Sequence, residues 1–254
     1  MGFIGIGAMG FSHLELFHTD CGKKAKAVAF CAIDKERIAK AREVTPDMQL
    51  FKREVDLIQS ELDAVVVSSP NFTHVPLALE TLKASNHLFL EKPVGITSSE
   101  CRSLLRASKK SDRILMIGHE LRYSPYFRKI KELIEDGAVG KPLMTWCKEF
   151  RGPFMPKSRN WIEDRRRSGG CLVDKNCHHF DLMNWWMDSR PKQVSGFGSN
   201  AVNRVIKGPN QVHDHATANW EYANGAKGTL QLSMFAHEFP KEELAMGVVG
   251  DQGL

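Results

Sequence analysis

The sequence predicts an α/β protein in two parts: a doubly wound parallel sheet over residues 1–120, then an α/β domain rich in antiparallel strand over residues 121–254. Three observations predict it. Short apolar runs alternate with helical patterns up to about residue 118, which is how a parallel sheet wound on both faces reads. A glycine-rich turn lies between the first apolar run and the first helix. After Gly118 the texture changes to a Pro- and Arg-rich stretch, then to strand patterns with a hairpin signal.

Taken in order, residues 2–6 are a short apolar run ending in glycine, and residues 13–19 are helical. Residues 27–33 read as strand. Residues 35–44 read as helix, with Ile38, Ala41 and Val44 spaced for one face. A short helix covers 55–60. Residues 64–68 are an unbroken apolar strand, of the kind buried on both faces of a parallel sheet. Helix at 75–84, strand at 87–90, helix at 98–110 and strand at 114–117 complete five strands. Beyond the boundary, a helix over 127–135 ends at Asp136-Gly137, and a strand over 143–150 follows Lys141-Pro142. Residues 151–167 show no period and are expected to form a long loop. Ser168-Gly169-Gly170 leads into a helix expected over 174–187. Residues 194–249 read as antiparallel strands, clearest at 212–220, 227–234 and 244–249, with Asn224-Gly225 as a hairpin turn.

Composition narrows the function classes. The chain has 254 residues, 42% hydrophobic and 26% charged, which is ordinary for a packed globular protein and excludes disorder. No run approaches the roughly 18 apolar residues of a membrane span, so no membrane partner is expected. Residues 1–11 are apolar but lack the basic start of a signal peptide, and Ile6 stands where myristoylation wants Ser or Thr. Net charge is +5, yet the basic residues are dispersed apart from Lys23-Lys24, Lys109-Lys110 and Arg165-Arg166-Arg167. Such short clusters read as solvated faces, so no nucleic acid is expected. The six cysteines contain no Cys-x-x-Cys pair and read as reduced thiols in a cytoplasmic protein.

Chemistry concentrates in four places. Gly5-Ile6-Gly7-Ala8-Met9-Gly10 fits G-x-G-x-x-G between a strand and a helix. Gly5 permits the tight turn, Gly7 admits a diphosphate, and Gly10 lets the helix pack on the sheet. The helix start around Ala8 and Met9 presents free N–H groups and a positive dipole end. The second strand can be read to end at Ala32 or to run on to Asp34. If Asp34 meets the ribose 2′-OH, NAD is favoured; if Ala32 holds that position, Lys35 or Arg37 can attract the 2′-phosphate of NADP. NAD is slightly favoured.

Ser69-Pro70-Asn71-x-x-His74 follows the most buried strand, where ligands of doubly wound sheets sit, although Asn71 or Thr73 can also act as a helix cap. Glu91-Lys92-Pro93 ends the next strand, and a lysine at that edge can stabilise a developing negative charge, or merely be solvated before a turn proline. Asp174, His178 and Asp181 would share one face of a helix, giving an imidazole an orienting carboxylate and the means to act as a general base. The bland alternatives are an Asp174 N-cap and a half-buried His178. Cys171, Cys177, His178 and His179 do not make a metal site, because adjacent histidines point to different sides of a helix.

In this order the motifs resemble the Gfo/Idh/MocA oxidoreductases. Arg122-Tyr123-Ser124-Pro125 and Gly137-x-x-Gly140-Lys141-Pro142 strengthen a resemblance that covers essentially the whole chain. It implies a Rossmann domain, then an α/β domain with an open, mostly antiparallel sheet, and an active site in the cleft between them. The members it most resembles are inositol and sugar dehydrogenases. Carried over, Lys92 contacts substrate, His178 is the acid/base and Asp174 supports it. The dinucleotide would meet Gly5, Gly7, Ala8, Met9, Gly10, Asp34, Arg37, Ser69, Pro70, Asn71, His74, Glu91 and Lys92. Arg122, Tyr123 and Trp161 are further substrate contacts, and the peptide before Pro93 is expected to be cis.

The resemblance implies hydride transfer between NAD or NADP and a secondary alcohol of a cyclic polyol or sugar, in a dimer or tetramer. A redox-neutral, NAD-using glycosidase and a non-catalytic dinucleotide-binding regulator are the alternatives on this fold. The chain is short for the family, so a trimmed sequence lacking the C-terminal part of the second domain is expected, with an apolar sheet edge left exposed.

Overall fold

The computed structural model describes residues 1–19, 24–203, 208–236 and 242–253. Backbone contacts divide the chain into two units, Met1–Gly118 and His119–Leu254.

The first unit alternates β1 (Gly2–Ile4), α1 (Ala8–Thr19), β2 (Ala29–Cys31), α2 (Lys35–Val44), β3 (Gln49–Phe51), α3 (Glu54–Ile58), β4 (Ala64–Val67), α4 (His74–Lys83), β5 (His87–Glu91), α5 (Ser98–Ser108) and β6 (Leu115–Gly118). All six strands are parallel, in the order β3-β2-β1-β4-β5-β6. The order reverses direction between β1 and β4, and doubly wound sheets bind ligands beyond the carboxyl ends of the strands at that switch point. The all-apolar β4 is central: Val65, Val66 and Val67 are at most 1% exposed, each burial stabilising by about 1.5–3 kcal/mol. The sequence reading has five strands; the sixth, β3, is a three-residue, partly exposed edge strand too short to show a period.

The second unit contains α6 (Pro125–Glu135), β7 (Pro142–Arg151), α7 (Arg165–Ser168), α8 (Cys171–Asp174), α9 (Cys177–Trp186), β8 (Pro191–Ser199), β9 (His215–Tyr222), β10 (Lys227–Ser233) and β11 (Glu242–Gly250). The sheet order is β11-β7-β10-β9-β8; β10 pairs parallel with β7 and the other pairs are antiparallel. One side of β9 (Ala216, Ala218, Trp220 and Tyr222) is buried, and a shared core joins Trp220, Tyr222, Leu230 and Leu232 to Leu182, Met183 and Trp186 of α9. Gly225 turns the β9–β10 hairpin at φ +89°, as Asn224-Gly225 predicts.

Two expectations are corrected here. Residues 151–167 are not a plain loop: a 3-10 segment, Ser158–Glu163, and α7 occupy part of them. The helix expected over 174–187 is broken. Asn176 N donates to Cys171 O, five residues back, so the chain widens at Lys175-Asn176 between α8 and α9. Among the described residues no helix is long and apolar enough to cross a membrane.

Candidate active site

The glycine turn is clipped to both neighbouring strands. Gly5 N donates to Cys31 O at 2.9 Å and Ser68 N to Ile4 O at 2.9 Å, while Ser68 Oγ donates to Gly5 O at 2.7 Å. Gly5 has φ +85°, and a Cβ there would stand 2.8 Å from the Ser69 backbone. A Cβ on Gly10 would overlap the Gly5 carbonyl oxygen. A Cβ on Gly7, by contrast, meets no protein atom within 4 Å. Two glycines therefore close the turn against the sheet and the third leaves open space above it, beside the first turn of α1 with Ala8 and an exposed Met9. That shape fits a dinucleotide diphosphate.

β2 ends at Cys31, so Ala32 follows the strand and Asp34 lies three residues beyond it. Asp34 caps α2: its Oδ1 accepts from Arg37 N at 3.0 Å.

Beyond β4, Ser69 Oγ and Thr73 Oγ1 lie 2.6 Å apart, Thr73 Oγ1 donates to Pro70 O, and Asn71 is 4% exposed. Thr73, at the N-cap position of α4, makes no side-chain capping bond. His74, a residue the sequence places at the dinucleotide, links two loops. It is buried, with Nε2 2.8 Å from Ser69 O and Nδ1 2.7 Å from Pro93 O, tying the loop after β4 to the loop after β5. Burial lowers the ring's pKa even though both carbonyls favour the charged form. Glu91 is likewise turned inward: Oε1 is 2.6 Å from His13 Nε2 of α1, and Oε2 accepts from Lys92 N at 3.0 Å. Both carboxylate oxygens thus have protein partners, and Glu91 belongs to the support of Lys92. Lys92 itself is half-buried, and its peptide to Pro93 is cis as expected.

In the second unit, His178 lies in the first turn of α9, 7% exposed, with Nδ1 3.5 Å from Glu120 Oε2 and its ring edge-on to His119 at 5.8 Å. Asp174 ends α8, so it is not an N-cap, and the two residues do not share one uninterrupted helix. The third member of the expected face, Asp181, is engaged elsewhere. Arg122 donates to it through Nε at 2.6 Å and Nη2 at 2.7 Å, and the guanidinium sits 5.5 Å from the Trp185 ring. The hydrogen bonds to Asp181 raise the Arg122 pKa. Arg122 thus bridges the 3-10 segment Glu120–Tyr123 and α9. Tyr123 is 63% exposed, and Trp161 sits part-buried in the 3-10 segment beside two residues of positive φ, Arg159 and Asn160.

His179 turns the other way, toward Glu149. Among the described residues no group of three His, Cys, Asp or Glu could hold a metal ion, and burial pushes the Cys171 thiol up to about 12. Sequence reasoning does not find His13, His119, Glu120 and Glu149; each meets its partner across 30 to 78 positions, which local spacing does not reveal.

Comparison with known proteins places the chain in a family. Residues 1–119 match the family model described as "Oxidoreductase family, NAD-binding Rossmann fold", and residues 127–254 match that of the GFO/IDH/MocA C-terminal domain. YteT of Bacillus subtilis is 34% identical over 142 residues, covering 55% of this chain and 33% of its own length. A myo-inositol 2-dehydrogenase of Thermotoga maritima is 30% identical over 234 residues, covering 92% of this chain and 68% of its own. A Thermotoga maritima crystal structure, described as a probable dehydrogenase, superposes with TM-score 0.84 at 28% identity over 99% of this chain and 73% of that one. The chain thus spans from one third to about two thirds of the length of these two curated relatives. With both halves of the chain matched in order, it belongs to the GFO/IDH/MocA oxidoreductase family.

Proposed function

We propose that this chain is a dehydrogenase that passes a hydride between a secondary alcohol of a cyclic polyol or sugar and a nicotinamide dinucleotide, with residues 1–120 as the dinucleotide domain and 121–254 as the substrate domain. The observation that carries it is a nearly buried imidazole, His178, with a carboxylate oxygen of Glu120 at 3.5 Å and Asp174 four residues away in sequence. The nicotinamide supplies the redox chemistry when bound. His178 takes the hydroxyl proton as the general base, with Glu120 Oε2 3.5 Å from its Nδ1. Lys92 stabilises the charge developing on the alcohol oxygen, on a backbone held by Glu91 and His74. Tyr123 and Trp161 offer ring faces for a polyol. The Thermotoga maritima relative named for myo-inositol supports the substrate class.

NAD suits the matched family model, and Ala32 at the end of β2 leaves room for NADP with Arg37 exposed nearby. The five described cysteines are free thiols, in keeping with a cytoplasmic setting, and we place a homo-oligomer through the open sheet in the same reading.

The test is a panel of inositols and aldoses with NAD and with NADP, read by nicotinamide absorbance. Accumulating NADH or NADPH with at least one polyol is expected, and a redox-neutral glycosidase would accumulate none. His178→Ala should lower kcat by about 10²–10⁴-fold and leave dinucleotide affinity within about twofold. Near-normal turnover by that variant would defeat the assignment.

A further inference from the structure

The described cavities, cysteines, exposed sheet faces and basic clusters of this chain point to no ligand, but one fully buried charged group is not used by the proposed reaction. Glu149 sits two residues before the end of β7, facing the core on the side shared by Thr145 and Cys147, and is paired in register with Leu232 and Leu244. It is 0% exposed. An isolated carboxylate in such a place is strongly disfavoured, so its partners matter.

Three of its four partners come from one stretch of chain, residues 175–179, and the fourth, Arg151, from β7 itself. Asn176 Nδ2 donates to Oε2 at 2.6 Å, His179 Nδ1 lies 3.4 Å from the same oxygen, Lys175 Nζ lies 3.4 Å from Oε1, and Arg151 Nη1 lies 3.5 Å from Oε1. Asn176 Nδ2 is also 3.0 Å from His179 Nδ1, and Asn176 and His179 are at most 1% exposed. Lys175 and Asn176 are the two residues of the widened turn between α8 and α9. The carboxylate therefore grips the point where the helical ladder opens, between the helix end carrying Asp174 and the helix start carrying His178. A widened turn survives where something outside the helix occupies it. Its opening sets how far His178 is rotated and displaced relative to Asp174.

We propose that Glu149 is a positioning residue for His178: through Asn176 and Lys175 it holds the α8–α9 turn open and so sets the direction in which the imidazole faces. This rests on the reading of His178 as the proton acceptor. Misplacement of a reacting group by about 1 Å costs up to roughly 100-fold in rate, so loss of the grip should appear in kcat.

The experiment compares wild type, Glu149→Gln, Asn176→Ala, the double variant and His178→Ala on the polyol panel, alongside amide hydrogen exchange of the free chain. Each of the first two variants should lower kcat at least tenfold with KM and dinucleotide affinity within about twofold, and the double should be no slower than the slower single. Exchange should quicken at residues 175–180 and stay unchanged in β7 and β10. A merely structural glutamate would lower the unfolding midpoint, speed exchange in the sheet as well, and leave kcat per folded molecule unaltered; that result overturns the inference. So does a double variant whose losses multiply. If Glu149→Gln does not fold, Asn176→Ala alone decides by the same kcat and exchange criteria. Wild-type turnover abolished by His178→Ala but untouched by the other variants sinks this inference alone. A panel without wild-type turnover, or an active His178→Ala, sinks the functional reading and this inference with it.

Discussion

Gly7 and Gly10 lie three residues apart in one turn, and the structure separates what each does. At Gly10 an added methyl would overlap the Gly5 carbonyl oxygen and stand 2.5 Å from Ser68 Oγ. The Gly5 backbone cannot retreat, because its N–H is bonded to Cys31 O and its carbonyl to Ser68 Oγ. Overpacking against backbone of this kind costs about 3 kcal/mol, or about 10 °C in the midpoint of a unit of this size. At Gly7 the methyl enters open space, and no left-handed φ is at stake. The Gly7 carbonyl accepts the first helical bond of α1, from Phe11 N at 2.9 Å. Alanine there loses roughly 1 kcal/mol as a poorer N-cap and regains about 0.4–1 kcal/mol by restricting the unfolded chain. Stability should barely move. A diphosphate over the turn is pushed away from the N–H groups, forfeiting charge-assisted hydrogen bonds of about 1.5–3 kcal/mol, which is roughly a 10- to 100-fold weaker Kd. Thermal unfolding and titration with NADH distinguish the two variants. Gly7→Ala with wild-type affinity for NADH would refute the assignment of this turn to the diphosphate.

Ala32→Asp places a carboxylate directly after β2 and should raise the ratio of NAD to NADP affinity at least tenfold, about 1.4 kcal/mol; an unchanged ratio in direct binding titrations means that this position does not face the ribose. Asp214 is 2% exposed. Burial pushes its pKa up, but His215 and the N–H groups of Asn203, Val202 and Ala201 outweigh burial and bring it from 3.8 down to about 2. The ionised form is thus favoured by folding: the stabilisation, about 2 kcal/mol, is complete above pH 4 and lost as the pH falls toward 2. Thermal unfolding of wild type and Asp214→Asn across that interval should show their difference shrinking with acid, whereas a constant difference speaks against it. Arg122→Lys cannot keep both bonds to Asp181 and should cost the second unit about 1 kcal/mol in urea unfolding; the absence of any loss would make the pair dispensable.

How much of this was legible depended on how local each signal was. The unbroken valines of β4, the glycine turn and the Glu91-Lys92-Pro93 strand end are short-range patterns, and the structure places each where a parallel sheet requires. β3 escaped because a three-residue edge strand buries too little to impose a pattern. The helix around His178 differs from its sequence pattern for a different reason. Its residue types are compatible with one continuous helix, and at the break Asn176 bonds Glu149, a side chain on a strand 27 positions away. Asp34 remained ambiguous because a helix cap and a ribose contact call for the same residue type at the same place, and only the bond to Arg37 N shows that the cap is made.

The groups that sequence patterns reveal are those proposed to do chemistry, while the groups proposed to aim them are remote, buried and polar. Lys92 is aimed by Glu91, which is braced from α1 by His13, and by His74, which holds the carbonyl of the next residue, Pro93. The turn before His178 is held by Glu149 through Asn176. In the first unit Glu91, 6% exposed, joins the Lys92 N–H to His13 of α1, and in the second Glu149, 0% exposed, holds the Asn176 side chain two positions before His178. Such groups are expensive to bury, and apolar replacements of equal size would often stabilise the fold. Here one accepts a hydrogen bond from the residue proposed to react and the other from a side chain two positions before it, which is what a directional constraint requires and what apolar packing cannot supply. His13→Leu is therefore expected to keep the first unit folded, within about 1 kcal/mol, while lowering kcat through a loosened Glu91. A His13→Leu enzyme with unaltered kcat would show that Lys92 is aimed by the strand end alone.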